Sequence, residues 1–208
     1  MKFLINKKQI KRVRGFIIPL TLLVTLVILI VSSGISIILA KELYFSKISR
    51  ESQIAYYAAD NALMCTIMVD DQYINPVSGL GIFPYDGLLD ANNYIQAVIT
   101  STNADRQEHG LSTITSDDIK CATSAIFKTS VSSFSATPFT RVNSLGTTEN
   151  GQKSSFNMKM DLGDGTFRCA SVMVNKTSMF RQIIARGFTS CEGGSKIERA
   201  VVDTTEIR

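Results

Sequence analysis

Four cysteines are the residues whose chemistry is easiest to assign in this chain of 208 residues. None lies in a Cys-x-x-Cys pair and the sequence contains one histidine, so a zinc site is not expected. In an oxidising compartment they can form two disulfides, for which the sequence leaves three pairings open, with four free buried thiols as the alternative. The four are Cys65, Cys121, Cys169 and Cys191.

Residues that could support catalysis or bind a metal are few. Ser-His-Asp catalysis would need His109, which stands among charged residues and is more simply explained as a solvated surface side chain. Asp161 and Asp164 flank a predicted tight turn and are weak candidates for a calcium site, although turn formation also explains them. With no glycine-rich phosphate loop in the sequence, we expect neither an enzyme nor a cofactor.

The N-terminal 40 residues contain the strongest pattern. Residues 1–15 include six basic side chains and no acidic one, and Phe16–Ala40 is a run of 25 residues without a charge. Seventeen of these are Leu, Ile, Val or Phe. As a helix the run would be about 37 Å long, enough to cross a hydrocarbon layer of about 30 Å, with a gain of roughly 5–10 kcal/mol on insertion. A membrane helix is therefore predicted at 16–40.

The charge distribution orients this helix. The formal net charge is +4, but without residues 1–15 the chain has 16 basic and 18 acidic side chains. The excess of positive charge thus belongs to the leader and gives no reason to expect nucleic-acid binding. Because basic flanks stay in the cytoplasm, residues 41–208 are predicted to lie outside it, where disulfides can form.

The junction between the leader and the apolar run carries a processing signal. An ordinary signal peptide has a shorter apolar core, and an uncleaved anchor is the alternative. The sequence Arg14-Gly15-Phe16 resembles the end of the leader of type IV prepilins. This resemblance implies that a prepilin peptidase cuts after Gly15 and that the new N-terminal residue, Phe16, is methylated. The cut would remove the charged leader and leave the anchor in place.

A second stretch extends the resemblance. Residues 55–63, AYYAADNAL, are similar to the alanine-rich segment that follows the anchor in PilX-type minor pilins, with Asp60 where glutamate is usual. Together the matching features cover about residues 14–70, a quarter of the chain. The resemblance implies a structural subunit of a type IV pilus-like filament, held by its apolar helix. Implied partners are other pilins, the assembly platform, the prepilin peptidase and, before assembly, membrane lipid.

Three positions in the apolar helix bear on assembly. Major pilins have a glutamate at the fifth mature position, which is Leu20 here, and its absence favours a minor, initiating or tip subunit over the bulk subunit. Pro19 would lie in the first helical turn, where proline is tolerated. Gly34 is the predicted weak point of the helix, because glycine costs about 1 kcal/mol relative to alanine.

Two other functions stay open at this stage. A pseudopilin of a type II secretion or DNA-uptake machine would have the same chemistry on a shorter filament. An uncleaved membrane-anchored protein that binds a surface or ligand belongs to a different class. For the pilin-like functions, the expected location is first the inner membrane, in a single pass with the head outside, and then a cell-surface filament.

The pattern beyond the anchor predicts an α+β head. Residues 41–70 form an amphipathic continuation of the first helix, with small apolar residues at spacings near three, four and seven. Asp90 could cap a second helix that runs to about Glu108 and stops at Gly110. The remaining predictions are a strand at Ile119–Phe127, an irregular connection with a short strand at 128–152, strands at 156–161, Phe167–Val174, Met179–Phe188 and Ile197–Asp203, and turns at 163–165 and 175–177.

The fold class expected from these elements is a pilin-like α+β architecture, with a long N-terminal helix packed on an antiparallel sheet. Its predicted parts are the leader 1–15, the membrane helix 16–40, the amphipathic helix 41–70 and the head 71–208. Of the three cysteine pairings, we favour Cys65–Cys121, which would attach the helix to an early strand, and Cys169–Cys191, which would close the C-terminal strands. A disulfide that closes a loop of this size contributes about 3–4 kcal/mol to the free energy of unfolding.

Overall fold

The computed structural model describes residues 17–75, 78–88, 90–121, 124–127, 134–143, 145–161, 167–191 and 198–206. The chain divides into two compact units, Met1–Ser49 and Arg50–Arg208, and from here on the second unit is called the head. In chain order its elements are α1 (Ile17–Gln72), α2 (Ala91–Glu108), β1 (Lys120–Cys121), β2 (Ser124–Ala125), β3 (Ser135–Val142), β4 (Thr148–Asp161), β5 (Phe167–Lys176), β6 (Phe180–Phe188) and β7 (Glu198–Glu206).

The first helix is long because little in its sequence interrupts it. α1 has 56 residues, and its one proline, Pro19, is the third of them, where the missing amide N–H has no intrahelical partner to lose. Helical structure continues through Gly34. At the other end the Tyr73 N–H donates to the Val69 carbonyl oxygen at 3.2 Å, and Ile74 then bridges to Gly81. The chain thus turns back directly after the helix.

Five strands form one antiparallel sheet in the order β3-β4-β5-β6-β7. Each strand therefore pairs with the next strand along the chain, as short connections require. The buried apolar residues of α1 between Ala58 and Val69, and those of α2 between Tyr94 and Ile99, share one core with this sheet. The predicted α+β class, a long N-terminal helix packed on an antiparallel sheet, is confirmed.

Small residues allow α1 to approach the sheet closely. Ala55, Ala58 and Ala62 are buried, as their spacing predicts, and Ala59 is buried with them. Ala55 and Ala59 lie over Gly187 of β6, where an added Cβ would overlap the Ala55 carbonyl oxygen and lie 2.5 Å from the Ala59 amide nitrogen. The helix backbone and the strand backbone are therefore in direct contact at this point.

This contact makes Gly187→Ala a test of helix–sheet packing. The new methyl group would push on helix backbone, which cannot rotate away as a side chain can, so we expect unfolding to become easier by about 1–3 kcal/mol. Denaturation of the full chain in detergent, followed by near-ultraviolet circular dichroism, measures the change. Arg186→Ala is the matched control, because Arg186 is exposed and its 3.6 Å ion pair with Glu198 is at the surface. Its effect should stay within about 0.5 kcal/mol. Equal losses in the two variants would contradict the direct contact.

The second helix agrees with its prediction in position and apolar face. The Asp90 side chain accepts a hydrogen bond from the Asn93 N–H at 2.8 Å, and the helix is followed by Gly110 at φ +70°. Its buried residues are Tyr94, Ile95, Val98 and Ile99. Burial raises the pKa of Tyr94 to about 12, and its hydroxyl donates to the Gly81 carbonyl oxygen at 2.9 Å. The loop before α2 is thereby held to the core.

Aromatic side chains fill the space between the loop and the sheet. Phe83 is fully buried and stacks on Phe156 with ring centroids 5.7 Å apart. The Phe127 ring is tilted relative to the Phe83 ring, and their centroids are 5.6 Å apart. Such pairs contribute about 0.5–1.5 kcal/mol beyond their buried area. One loop residue thus contacts both strand β4 and the segment after β2.

Two strand predictions in the middle of the chain are wrong. Ile119–Phe127 is not one strand but contains β1 and β2, two residues each, paired antiparallel. The segment lacks the alternation of a half-buried strand, since Ala125, Ile126 and Phe127 are three consecutive apolar residues. Residues 128–152 are not mainly irregular, because they contain β3 and the start of β4. β3 is an edge strand with Pro138 and largely exposed side chains, so it lacks the alternation by which strands are recognised.

The turn predicted at 175–177 is also displaced. Asn175 and Lys176 are the last residues of β5, and the turn begins at Thr177, whose N–H donates to the Phe180 carbonyl oxygen at 2.8 Å. Lys176 and the Thr-Ser that follows it suggest a turn if the lysine is assumed to be solvated. In the structure Lys176 is buried. The turn predicted at 163–165 and Ile197 lie outside the described residues.

Both disulfides link the cysteines that we expected. Cys65 bonds to Cys121 across a separation of 56 residues and joins α1 to β1. Cys169 bonds to Cys191 across 22 residues and joins β5 to the segment after β6. The first bridge therefore closes a loop that contains α2, and the second fixes the chain as it leaves β6.

Candidate functional site: the apolar surface of the N-terminal helix

The first part of α1 presents an apolar surface on every side. Each residue from Ile17 to Lys47 is exposed, and up to Ala40 these residues carry no charge. The surface includes Pro19 and Leu20, and nothing lies within 4 Å of a Cβ built on Gly34. A helix that is apolar all round is found in a protein core or in lipid, and this one is not covered by the part of the chain that the structure describes.

Hydroxyl groups in this segment do not make it polar. Thr21, Thr25, Ser33 and Ser36 each donate a hydrogen bond of 2.8 to 3.0 Å to a carbonyl oxygen three or four residues earlier in the helix. Side chains that bond back to their own helix can be buried in an apolar medium without an unsatisfied donor. The segment is therefore suited to lipid or to a surrounding of other apolar helices.

Its length fits the same surroundings. Ile17–Ala40 is about 36 Å long at about 1.5 Å per residue, compared with a hydrocarbon layer of about 30 Å. Among the described residues, α1 is the one helix long and apolar enough to cross a membrane, with a mean hydropathy of 2.8 in its most apolar window.

Four of the sequence-predicted site residues are not fully described by the structure. The proposed cleavage site, Gly15 and Phe16, lies outside the residues that the structure describes, and so does Asp164. Asp161 is the last residue of β4, but the position of its side chain is likewise outside the description. The weak calcium candidate and the processing site therefore stay predictions.

A buried cluster of charges, which the sequence did not reveal, lies where α1 ends. The Asp70 carboxylate is buried and accepts two hydrogen bonds of 2.8 Å from Lys176 Nζ, one on each oxygen. Its Oδ2 also accepts from Arg181 Nη1 at 3.1 Å, and its Oδ1 from the Phe83 N–H at 3.2 Å. Arg181 in turn donates to Asp71, whose side chain is exposed. Two cations and two carboxylates thus balance each other.

This cluster joins four parts of the head. Asp70 is in the last turn of α1, Lys176 ends β5 and Arg181 begins β6, while Phe83 belongs to the loop before α2. Gly81 of that loop lies so close that a Cβ on it would overlap the Asp70 side chain. Burial lowers the pKa of the Lys176 ammonium, and the Asp70 carboxylate opposes that shift. The carboxylate therefore compensates a charge that would otherwise be buried alone.

One signal in the sequence could have identified this lysine. Ala170, Val172 and Val174 alternate along β5 and are buried, and Lys176 follows in the same period. A cation in step with core positions needs a buried carboxylate, and Asp70 follows the buried Val69 on the core face of α1. By sequence position alone, Asp70 is the last residue of the predicted amphipathic helix 41–70 and Lys176 lies in the predicted turn 175–177.

The histidine that Ser-His-Asp catalysis would need is located in the structure. His109 is exposed at the C-terminal cap of α2, where its Nδ1 lies 2.9 Å from the Asp105 carbonyl oxygen. Among the side chains that the structure describes, no group of three or more His, Cys, Asp or Glu residues is arranged to hold a metal ion.

Comparison with known proteins adds no assignment. No protein-family model matches the chain, and neither a curated protein nor a solved structure matches it significantly.

Proposed function

We propose that this protein is a pilin-like structural subunit, of the minor PilX-like kind, that is anchored in the membrane by α1 and assembles into a type IV pilus-like filament. The observation that carries the proposal is the apolar surface of Ile17–Ala40, which is exposed on all sides. A protein in water does not keep so much apolar surface uncovered, so a partner medium must cover it.

Filament assembly on this account is an exchange of one apolar surrounding for another. The helix first lies in lipid, where insertion is favourable by roughly 5–10 kcal/mol. Apolar helices of sister subunits then cover the same surface, so little is lost when the subunit leaves the membrane. The back-bonded hydroxyls of Thr21, Thr25, Ser33 and Ser36 support this exchange, because they need no partner in either surrounding. We assign the chain a structural role and no catalytic step.

The minor class follows from the residue at the fifth mature position. Leu20 is exposed and apolar, and it has no carboxylate to pair with the N-terminal amine of a neighbouring subunit. A subunit without this ion pair gains less free energy when it joins a long uniform filament than a subunit that forms the pair. We therefore place it at low copy number, as an initiating, tip or decorating subunit beside other pilins.

The mature N-terminus tests the proposal. The chain is expressed with an active prepilin peptidase, recovered from the membrane fraction and analysed by N-terminal sequencing and intact mass. We expect the sequence to begin at Phe16, methylated on its amine, with the first 15 residues absent.

Two controls make the result specific. The Gly15→Val variant should keep Met1, and so should the wild-type chain without the peptidase. Both should still enter the membrane, because the apolar run is unchanged. A wild-type chain that keeps its leader beside an active peptidase would overturn the pilin assignment in favour of an uncleaved anchor.

A further inference from the structure

The apolar character of α1 does not stop where its uncharged run stops. Leu43, Tyr44 and Phe45 are consecutive, and they are 73%, 63% and 66% exposed. The basic residues Lys41 and Lys47 flank them and are exposed as well. Exposed large apolar side chains in series are unusual on a helix that meets only water. We call Lys41–Lys47 the aromatic band.

The positions of these side chains before assembly argue for a surrounding medium and against a single partner helix packed on one side. Successive residues of a helix point about 100° apart, so Leu43, Tyr44 and Phe45 face three different directions. A packed partner contacts residues three and four apart, which form one stripe. The rings of Tyr44 and Phe45 lie 6.2 Å apart at 61°, which covers the helix side between them. Only a layer that surrounds the helix reaches all three.

The chemistry of the band matches the headgroup layer of a bilayer. Tyrosine places an apolar ring toward the acyl chains and a hydroxyl toward water, and it is enriched at this level in membrane proteins. Lysine extends its apolar stem along the membrane and its ammonium into the headgroups. Phosphate groups at that depth can accept hydrogen bonds from the tyrosine hydroxyl and from the lysine ammonium. The side chains of Leu43 and Phe45 can reach the start of the acyl chains.

We propose that the aromatic band lies in the lipid headgroups of the leaflet that faces away from the basic leader, and that it fixes the depth of the helix before assembly. The inference rests on the proposed membrane anchoring and adds the partner of one segment. Ile17–Ala40 is about 36 Å long and crosses about 30 Å of hydrocarbon when tilted. The seven residues of the band add roughly 10 Å, comparable to a headgroup layer of about 5–8 Å.

The chain contains no tryptophan, so single tryptophans can report depth. We suggest Leu29→Trp within the apolar run, Phe45→Trp and Tyr44→Trp in the band, and Tyr57→Trp, which lies 12 residues or about 18 Å further along α1. Each full-length variant is reconstituted in phosphatidylcholine vesicles that contain lipids brominated either near the headgroup or near the acyl end.

We expect the Tyr44 and Phe45 reporters to be quenched at least about twofold more by shallow than by deep bromines, since tyrosine-like aromatics prefer this level. The Leu29 reporter should show the opposite order, and the Tyr57 reporter should be quenched by neither. Suppose that the Leu29 reporter is quenched by deep bromines, but the Tyr44 and Phe45 reporters are quenched by neither kind of bromine or mainly by the deep one. The proposed position of the aromatic band is then overturned, while the membrane anchoring stands. If the Leu29 reporter is not quenched at all, the membrane anchoring fails and the band fails with it.

Discussion

Removing the Asp70 carboxylate is expected to destabilise the head by about 3–5 kcal/mol, because an ion pair broken on one side leaves a buried charge uncompensated. In the Asp70→Ala variant Lys176 Nζ would lose both of its 2.8 Å bonds, at a position that is 1% exposed. The loop amide of Phe83 and one bond of Arg181 would lose their acceptor too. Denaturant titration of the full chain in detergent, followed by near-ultraviolet circular dichroism, measures the loss.

Matched variants separate charge burial from general damage at the helix end. Asp71→Ala removes a neighbouring carboxylate that is exposed, and it should change stability by about 1 kcal/mol or less. Asp70→Leu and Lys176→Met are measured singly and together; the double variant replaces the pair with apolar groups and should be less destabilised than the sum of its single variants, by a coupling energy of about 1–3 kcal/mol. Strictly additive losses, or an Asp70→Ala effect no larger than that of Asp71→Ala, would contradict the role of the cluster.

The second large effect should come from the bridge between α1 and β1. Replacing Cys65 and Cys121 together by alanine removes a constraint on a loop of 56 residues, which is worth about 4 kcal/mol in the chain-entropy treatment. The same change at Cys169 and Cys191 opens a loop of 22 residues and should remove about 3 kcal/mol. The free energy of unfolding of both double variants, measured under the same conditions, gives the comparison.

The order of these two losses is the informative part. β5 and β6 are already paired at Cys169 and Phe188, so the C-terminal bridge adds to an existing sheet contact. The Cys65–Cys121 bridge instead joins a helix to a strand of two residues, whose sheet pairing is limited to the two residues of β2. A larger loss at the C-terminal bridge would show that the long loop remains ordered without its disulfide.

The helices of this protein are readable from its sequence because their signals are local. The apolar run, the small residues at 55, 58 and 62, the Asp90 cap and the Gly110 stop each act within one or two turns. The strands β5 and β6 are readable as well, since their central position in the sheet buries alternate residues.

What the sequence could not supply depends on contacts between distant residues. β3 is an edge strand whose partner lies on one side only, so Pro138 is tolerated and little apolar alternation is required. The pairing of Asp70 with Lys176 spans 106 residues, and neither side chain alone indicates that it is buried. The contact of Gly187 with α1 is visible only when the two backbones are placed together.

The two parts of α1 serve the proposed function differently. Residues from Arg50 onward belong to the head, where alanines and the Asp70 cluster fix the helix to the sheet. Each residue of Ile17–Ala40 is exposed, so the stability of this segment in place depends on what surrounds it. Substitutions in the head should thus change folding, and substitutions in the apolar run should change location and assembly.

Shearing of surface filaments tests most directly whether other subunits cover the apolar surface of α1. Cells that express the chain with a C-terminal epitope tag are sheared, and the filament and membrane fractions are probed for the tag and for the mature N-terminus. Leu29→Asp places a charge at the centre of the apolar run, which costs about 3 kcal/mol of insertion free energy. Gln53→Asp is the control, because it adds the same charge at an exposed position of α1 within the head. We predict that wild type and Gln53→Asp are found in the filaments with Phe16 as the first residue, and that Leu29→Asp is not. A wild-type chain confined to the membrane of cells that carry normal filaments would contradict the filament assignment.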